Sequence, residues 1–324
     1  MAGNQSPASP RRPLIAIVGP TAVGKSALAL DLALQLGGEV ISADSRQAYA
    51  GMDIGTAKPT PEQRLLVRHH LVDILEPAQE YSLATFLLLA RRALRGVRRR
   101  GRLPILAGGT GQYIWALLER WRLPPVTPDP ALRRELGLRL AAEGLAPLAQ
   151  ELERRAPGVA SRLDRRNPRR VLRALELALS GAAPRPLRRQ RPLPAGAYVI
   201  GLTLPRPQLY RRIDERVDQM MQRGLVEEVR RLLEHYGPVA PILGSLGYAQ
   251  IVGYLRGSLT LDQALAGIRT ATHRLARQQY NWFRLGDPRI HWYNADATGL
   301  RRALCDVAAV LAGDAASLRP VGRE

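Results

Sequence analysis

Cysteine is almost absent from this sequence, and Cys305 is its single copy in 324 residues. One thiol excludes an internal disulfide and a zinc site built from cysteines, as is typical of a protein from a reducing compartment. The sequence also lacks an apolar run long enough to cross a membrane, and residues 1–13 are polar and proline-rich, unlike a secretion signal. These absences predict a cytoplasmic globular protein that has no membrane partner.

Lysine is nearly as scarce, because Lys25 and Lys58 are the only two lysines beside a large excess of arginine. A compositional bias toward arginine explains most of this excess. A lysine nevertheless provides a compact, mobile point charge that the planar guanidinium group of arginine does not reproduce. We therefore interpret Lys25 and Lys58 as marking two functional segments, with an ordinary surface position for Lys58 as the alternative.

Acidic residues are too few to balance the basic ones, which leaves a net charge of +20 and a pI of ≈ 11.2. The arginines also cluster: seven lie in residues 91–102, five in residues 165–173 and four in residues 185–191. A solvated helix face explains any one cluster, but a partner with a phosphate backbone explains the three together better. The charge therefore predicts binding to a nucleic acid.

The most specific local motif is a glycine-rich segment with the pattern G-x-x-x-x-G-K-S. It follows the apolar run 14–18 and precedes the Ala/Leu-rich stretch 25–36, which supply the strand and the helix that a phosphate-binding loop requires. Its N–H groups and helix N-terminus favour a bound polyphosphate, which the motif does not identify further. Lys25 can reach a terminal phosphate, and the hydroxyl of Ser26 can bind Mg²⁺. The loop residues are Gly19, Pro20, Thr21, Ala22, Val23, Gly24, Lys25 and Ser26.

Short apolar strands alternate with helical patterns, which predicts an α/β fold: a P-loop NTPase-like parallel sheet flanked by helices. The predicted strands are residues 14–18, 39–43, 103–107 and 197–202. The predicted helices are residues 25–36, 61–67, 82–98, 111–119, 131–143, 145–155, 168–180, 206–222, 224–235, 247–256 and 261–284.

A change of composition at residue 122 divides this predicted fold. Residues 122–197 contain 16 arginines against seven acidic residues, a local charge of +9, together with three of the helical patterns and a Pro/Arg-rich loop at 182–194. We interpret this stretch as a basic all-helical domain inserted into a catalytic core of residues 14–121 and 198–312. The segments 1–13 and 313–324 are predicted to be disordered tails.

Two polar residues follow predicted strands. Asp44 comes directly after one strand, and Thr110 lies in a second glycine-rich turn, Gly108–Tyr113, after another. Ligands of parallel sheets bind at the carboxyl ends of the strands, so we expect both residues to face the same crevice as Lys25. Asp44 is then either a magnesium ligand or a general base, and the sequence favours the base only mildly. Taken alone, an ordinary strand-to-helix turn explains the second glycine-rich segment.

Five segments together resemble the tRNA dimethylallyltransferases, also called tRNA isopentenyltransferases. Their order and spacing match that family from about residue 14 to residue 312. The segments read Gly-Pro-Thr-Ala-Val-Gly-Lys-Ser at 19–26, Ile-Ser-Ala-Asp-Ser-Arg-Gln-Ala-Tyr at 41–49, Gly-Met-Asp-Ile-Gly-Thr-Ala-Lys-Pro at 51–59, His-His-Leu-Val-Asp at 69–73 and Gly-Gly-Thr-Gly-Gln-Tyr at 108–113. The segment at 51–59 is the most specific of them.

The resemblance implies transfer of a dimethylallyl group from dimethylallyl diphosphate to N6 of the adenosine just 3′ of a tRNA anticodon. Diphosphate is then the leaving group that the loop at 19–26 holds, with Mg²⁺. Asp44 matches the family's general base. Thr110 and Arg216 match positions that act on the leaving group, although a helix-surface arginine is the simpler interpretation of Arg216 from the sequence itself.

The resemblance also implies contacts with the anticodon stem-loop of tRNA. The matching positions are Asp44, Ser45, Arg46, Gln47, Arg133, Arg169, Arg170, Arg173, Gly247 and Tyr248. The sequence departs from the family pattern at Gln278, where the family usually has arginine, and at Ala249, where it usually has a basic residue. We expect the protein to act as a monomer.

Three other functions compete with this interpretation. A P-loop small-molecule kinase predicts ATP turnover but leaves the charge of +20 unexplained. An adenylate isopentenyltransferase, which prenylates free AMP, ADP or ATP, should lack the basic insertion. An RNA-binding switch that senses a nucleotide does not require Asp44 and Thr110 in one crevice.

Overall fold

The computed structural model describes residues 12–123, 129–181, 192–194, 196–237 and 241–313. The predicted tails at 1–13 and 313–324 lie almost entirely outside these residues, as does most of the Pro/Arg-rich loop at 182–194. The chain divides into two compact units, one formed by Met1–Glu119 with Pro192–Glu324 and the other by Arg120–Arg191. Within the described ranges, no helix combines the length and apolar character needed to span a bilayer.

The larger unit contains a six-stranded, all-parallel sheet in the order β3-β2-β4-β1-β5-β6. The strands are β1 (Leu14–Val18), β2 (Gly38–Ser42), β3 (His69–His70), β4 (Leu103–Ala107), β5 (Ala197–Thr203) and β6 (His291–Asn294). The predicted α/β fold with its four apolar strands is therefore confirmed. The two edge strands were not predicted, because one has only two residues and the other begins with a histidine and ends with an asparagine.

Helices cover this sheet and supply the apolar side chains that bury it. They are α1 (Lys25–Leu36), α2 (Pro61–Leu66), α3 (Leu83–Arg99), α4 (Gly111–Leu118) and, after the smaller unit, α9 (Arg206–Gln222), α10 (Leu225–Tyr236), α11 (Tyr248–Leu255), α12 (Leu261–Gln279) and α13 (Ala297–Ala312). The central strands β1 and β4 are buried along their whole length, as expected for a parallel sheet covered on both faces.

Two helices of the larger unit differ markedly from the sequence prediction. Helix α12 ends at Gln279, five residues before the predicted end at residue 284, because the chain turns through Tyr280–Phe283 and buries Phe283. Helix α13 was not predicted at all, although the side chain of Asp296 caps its first turn by accepting from the N–H of Gly299 at 2.7 Å.

The smaller unit is all-helical and has its own apolar core. It contains α5 (Pro130–Glu143), α6 (Leu145–Arg155), α7 (Pro157–Ala160) and α8 (Pro168–Leu179), of which the short α7 was not predicted. The core side chains include Leu136, Leu148, Leu152, Val171 and Leu175. Residue 197, which both the predicted insertion and the predicted strand at 197–202 included, is the first residue of β5.

A buried ion cluster joins β2 and β3. Glu39 is 6% exposed and accepts from Arg100 at 2.8 Å and 2.6 Å and from the Nε2 ring nitrogen of His70 at 2.7 Å. Hydrogen bonds from Arg100 outweigh burial and lower the pKa of Glu39 to about 2. The folded pKa lies below the unfolded one, so the cluster stabilises the fold above pH ~4.5 and loses its effect as the pH falls toward 2.

Replacing this carboxylate should therefore cost stability in a pH-dependent way. We expect Glu39→Gln to lower the free energy of unfolding by about 2 kcal/mol at pH 7, with a difference from the wild type that shrinks between pH 5 and pH 2. Urea denaturation at several pH values measures this, with Glu135→Gln, an exposed change on α5, as the control. A Glu39→Gln effect of equal size at pH 7 and pH 2.5 would contradict the assigned charge.

Candidate active site

A cavity of ≈ 380 Å³ opens in the larger unit at the carboxyl ends of the strands. Residues of the phosphate loop, of the segment after β2 and of the turn after β4 line one side of it, as the strand-end argument predicted. Helices α9, α10 and α12 line the other side. Lys25, Asp44, Thr110 and Arg216 all contribute to the same cavity.

The phosphate loop has the backbone conformation that its glycines suggest. Gly19 has a φ of 138°, and a Cβ there would lie 2.4 Å from the carbonyl oxygen of Leu202 on β5. Gly24 has a φ of 103° and precedes the first residue of α1. Only glycine satisfies both positions without strain, so the loop passes close to the sheet and opens its N–H groups toward an anion.

The amine of Lys25 lies in this loop and has no carboxylate partner among the described residues. Its Nζ donates to the carbonyl oxygen of Pro20 at 2.6 Å. Burial lowers the pKa of Lys25 to about 7, with the charge of Asp44 opposing this shift and that of Arg216 adding to it. A bound anion would favour the ammonium form, because an opposite charge stabilises it.

Arg216 brings a second cation to the cavity from α9. The described residues include no ion-pair partner for its guanidinium group. Burial lowers its pKa, while the charge of Asp44 opposes that shift. Arg216 therefore does not occupy the helix-surface position that was the alternative to its predicted role, since it lines the cavity.

Asp44 and Thr110 are held by short-range contacts at the strand ends. One carboxylate oxygen of Asp44 accepts from the N–H of Arg46 at 2.9 Å. The hydroxyl oxygen of Thr110 accepts from the N–H of Ser45 at 3.2 Å. A Cβ on Gly108 would lie 2.4 Å from the carbonyl oxygen of Ala43, so glycine allows the two strand ends to approach.

The opposite wall of the cavity is mostly apolar, although Arg216, Thr272 and Gln278 also line it. Its apolar side chains come from α9, the start of α10, the turn before α11, α12 and the turn after α12. They are Ile213, Val217, Met220, Leu225, Leu246, Ile268, Leu275 and Trp282. One cavity therefore joins an anion-binding end to an apolar end, with the carboxylate of Asp44 among its lining residues.

Sequence reasoning missed two residues that shape this cavity. Gln279, the last residue of α12, contacts both glycine-rich loops. Trp282 packs against the second loop, because a Cβ added to Gly111 would lie 2.3 Å from the Cβ of Trp282. The main-chain carbonyl oxygen of Trp282 accepts from the indole N–H of Trp115 at 2.8 Å. The sequence analysis predicted a helix that continues to residue 284. In the structure the helix ends at Gln279, and the turn that follows brings Trp282 against the second loop.

Lys58 is not the surface residue that was the alternative for it. It is 5% exposed, and its ammonium group donates to the carbonyl oxygen of Tyr49 at 2.8 Å, to Asp53 at 2.6 Å and to Asp73. These three acceptors use all three donors of a lysine ammonium group. The second lysine therefore fixes the segment at 51–59 to its neighbours and does not face the cavity.

A buried carboxylate that the sequence did not reveal holds the same segment. Glu228 on α10 accepts from the N–H groups of Asp53 at 2.9 Å, Ile54 at 2.7 Å and Gly55 at 3.1 Å. It also accepts from the hydroxyl of Tyr248 at 2.7 Å. Glu228 and Lys58 therefore fix the wall that Gly55 and Thr56 add to the cavity.

The residues predicted to contact tRNA fall into three structural groups. Asp44, Ser45, Arg46 and Gly247 line the cavity. Tyr248 is 1% exposed, and Gln47 donates to the carbonyl oxygens of Thr56 at 3.4 Å and Ala57 at 3.2 Å, so both side chains hold the 51–59 segment in place. The third group comprises the four arginines of the smaller unit.

Those four arginines differ in what they offer to a partner. Arg133 and Arg173 pair with the buried Glu176 at 3.1 Å and 2.7 Å. Arg169 and Arg170 are exposed at the start of α8. Among the described residues their only ion pair, from Arg170 to Asp164, is long at 3.9 Å. A long exposed pair contributes little, so these two guanidinium groups are open to a phosphate partner.

Family models match almost the whole described chain. The IPP transferase model matches residues 47–286, and the isopentenyl transferase model matches residues 13–73. The tRNA dimethylallyltransferase of Thermomicrobium roseum is 52% identical over 291 residues, which cover 89% of this chain and 88% of that protein. The tRNA dimethylallyltransferase of Roseiflexus sp. (strain RS-1) is 48% identical, with coverage of 90% and 95%.

Solved structures give the same result for the fold. The tRNA isopentenylpyrophosphate transferase of Bacillus halodurans has a TM-score of 0.70 and 36% identity, and the alignment covers 95% of this chain and 99% of that one. A eukaryotic dimethylallyltransferase acting on tRNA has a TM-score of 0.79 and 25% identity, with coverage of 97% and 81%. By its cavity, its fold and these relatives, the chain belongs to the tRNA dimethylallyltransferase family.

Proposed function

We propose that this enzyme transfers a dimethylallyl group from dimethylallyl diphosphate to N6 of the adenosine just 3′ of a tRNA anticodon, and releases diphosphate. One observation carries the proposal. The cavity combines two half-buried basic side chains, Lys25 and Arg216, with a wall of apolar side chains and a carboxylate. A diphosphate ester with a short hydrocarbon tail has this same division into a charged end and an apolar end.

The reaction requires help at both ends of the bond that breaks. The adenine amine is a weak nucleophile, so Asp44 takes its proton as the new N6–carbon bond forms. The bond between that carbon and the bridging oxygen breaks, and diphosphate leaves with the electron pair. Lys25, Arg216 and the loop N–H groups stabilise the charge that develops on it, with Thr110 beside them.

The residues at the loop also fit Mg²⁺. The described side chains contain no cluster of three histidine, cysteine, aspartate or glutamate residues that could hold a metal ion. A magnesium ion bound through a substrate phosphate does not need one, because it retains waters and takes few protein ligands. The hydroxyl of Ser26, at the start of α1, would bind it. When bound, the ion adds positive charge at the leaving diphosphate.

The tRNA base has to leave the anticodon stack to reach Asp44. Enzymes that modify a base generally extrude it into a pocket and stack it against apolar or aromatic side chains. Trp282, Met220 and Leu246 provide such side chains in this cavity. A tRNA substrate also supports the proposal that the enzyme is cytoplasmic. We further propose that it acts as a monomer, because the phosphate loop, the carboxylate and the apolar wall of the cavity all lie in the larger unit of one chain.

A chemical assay tests the assignment directly. We expect tRNA incubated with the enzyme, Mg²⁺ and dimethylallyl diphosphate to yield N6-dimethylallyladenosine next to the anticodon, detected by nucleoside mass spectrometry. Diphosphate should be released only when tRNA is present. Prenylation of free AMP at the tRNA rate would instead indicate an adenylate isopentenyltransferase, and a phosphorylated product from ATP would indicate a kinase.

The smaller unit supplies a second test, through its exposed arginines. We propose that Arg169 and Arg170 bind tRNA phosphates. Replacing both by glutamine should weaken tRNA binding, and should reduce the slope of log affinity against log salt by about 1.4–1.8, since each phosphate contact contributes about 0.7–0.9. Fluorescence anisotropy at several salt concentrations measures the slope.

A matched control removes the same charge elsewhere. Arg301 and Arg302 are exposed on α13 in the larger unit. The double change Arg301→Gln/Arg302→Gln lowers the net charge equally, and we expect it to leave the salt slope nearly unaltered. Equal slopes for the two double variants would mean that the total charge, and not α8, attracts tRNA.

A further inference from the structure

The side chain of Gln279 fills the space between the two glycine-rich loops. It is 7% exposed, its carboxamide oxygen accepts from the N–H of Thr21 at 2.7 Å, and its Nε2 donates to the carbonyl oxygen of Gly109 at 2.9 Å. The orientation of the carboxamide follows from its partners, because a main-chain N–H requires an acceptor and a carbonyl requires a donor. A Cβ on Gly109 would lie 2.3 Å from Nε2, so the second loop leaves room only for this contact.

This contact closes one end of the phosphate loop. In such loops the main-chain N–H groups surround the inner phosphates, and the lysine reaches the outer ones. Here the amine of Lys25 bonds to the carbonyl of Pro20, directly before Thr21, so Gln279 stands at the end that the outer phosphate would reach. Toward the start of α1, no side chain among the described residues accepts from the N–H groups of residues 22–26.

We propose that Gln279 limits the anion site to two phosphates, and so selects a diphosphate ester over a nucleoside triphosphate. The two phosphates of such an ester accept from the N–H groups at the start of α1, while its hydrocarbon tail lies along the apolar wall. A third phosphate has to displace the carboxamide, which leaves the carbonyl of Gly109 without its donor. The inference rests on the proposed function, because it concerns the same leaving-group site.

Binding of two inorganic anions tests this selection without the tRNA reaction. The probes are diphosphate and tripolyphosphate, titrated calorimetrically in excess Mg²⁺. We expect the wild type to prefer diphosphate. In Gln279→Ala the N–H of Thr21 and the vacated space become available to a third phosphate, so the preference for diphosphate should fall by about tenfold, as for a lost hydrogen bond to a charged group.

Two further variants separate selection from simple damage. Gln279→Glu keeps the length and the acceptor but adds a negative charge, so it should weaken both anions and retain or enlarge the preference for diphosphate. Gln219→Ala, an exposed change on α9, should alter neither affinity. The ratio of the two affinities is the readout, because a general loss of fold would lower both together.

The possible outcomes distinguish this inference from the proposed function. An unchanged ratio in Gln279→Ala, or a wild type that binds both anions equally, would overturn the selection while leaving the diphosphate site in place. A wild type that binds neither anion would overturn the assignment of the loop itself. A ratio that falls in Gln279→Ala and persists in Gln279→Glu is the result that we expect.

Discussion

Asp44→Asn should lower the single-turnover rate of prenyl transfer by about 10²–10⁴-fold, the usual contribution of a general base. The asparagine keeps the size of the side chain and can still accept from the N–H of Arg46, so the strand end should retain its conformation. Its amide cannot take the proton of N6. Affinity for tRNA should change little, which a binding titration beside the rapid-quench measurement establishes.

The same variant separates the two roles that the sequence left open for Asp44. A magnesium ligand predicts a defect that shrinks as the Mg²⁺ concentration rises, whereas a general base predicts a defect independent of it. The exposed Asp31→Asn on α1 serves as the control for a lost carboxylate. A single-turnover rate near that of the wild type would remove Asp44 as the base.

Lys25→Met should be the other severe change. The methionine retains much of the side-chain volume but removes the cation that the phosphate loop supplies, and loss of one such electrostatic contact typically costs about 10²–10³-fold in rate. Diphosphate binding should weaken as well, because the charge acts on the bound product. We expect Lys25→Arg to recover little of this, since the longer planar group cannot take the position on the carbonyl oxygen of Pro20.

Arg216 tests whether the two cations act on the same group. Arg216→Met should also slow turnover and weaken diphosphate binding, and the double variant should lose less than the product of the single effects, since residues that act on one group are not additive. Steady-state kinetics with dimethylallyl diphosphate at saturating tRNA, including product inhibition by diphosphate, measure both the turnover and the diphosphate affinity. Fully multiplicative effects would place the two cations at separate sites.

The parts of the molecule that local sequence determines were predictable. The phosphate loop requires a strand, two glycines and a helix in a row, and all of these lie within residues 14–36. The four inner strands were predictable as well, because each is a short run of mostly apolar residues within a continuous stretch of sequence. The strands β3 and β6 have no such run, since they consist of His69–His70 and His291–Asn294 and owe their place to neighbours already in the sheet.

The contacts that shape the cavity depend on pairs far apart in the chain. Gln279 reaches Thr21 across a separation of 258 residues, and Glu228 reaches Asp53 across 175. No spacing rule in a single sequence reveals such pairs. The scarcity of lysine marked Lys58 as significant, but only its three acceptors show that its part is to hold a segment in place.

The parallel pairing of β1 with β5 has a consequence for how the chain is made. β5 supplies the neighbour of β1 on one side, and all of Arg120–Arg191 is synthesised between them. The phosphate loop therefore leaves the ribosome well before β5 is available to pair with β1. The helical unit between them has its own core and can fold first, which shortens the flexible connection that has to be closed when β5 joins β1. Arg216 and Gln279 emerge later still. A nascent chain halted before α9 thus contains the phosphate loop, Asp44 and Thr110, but lacks both Arg216 and Gln279.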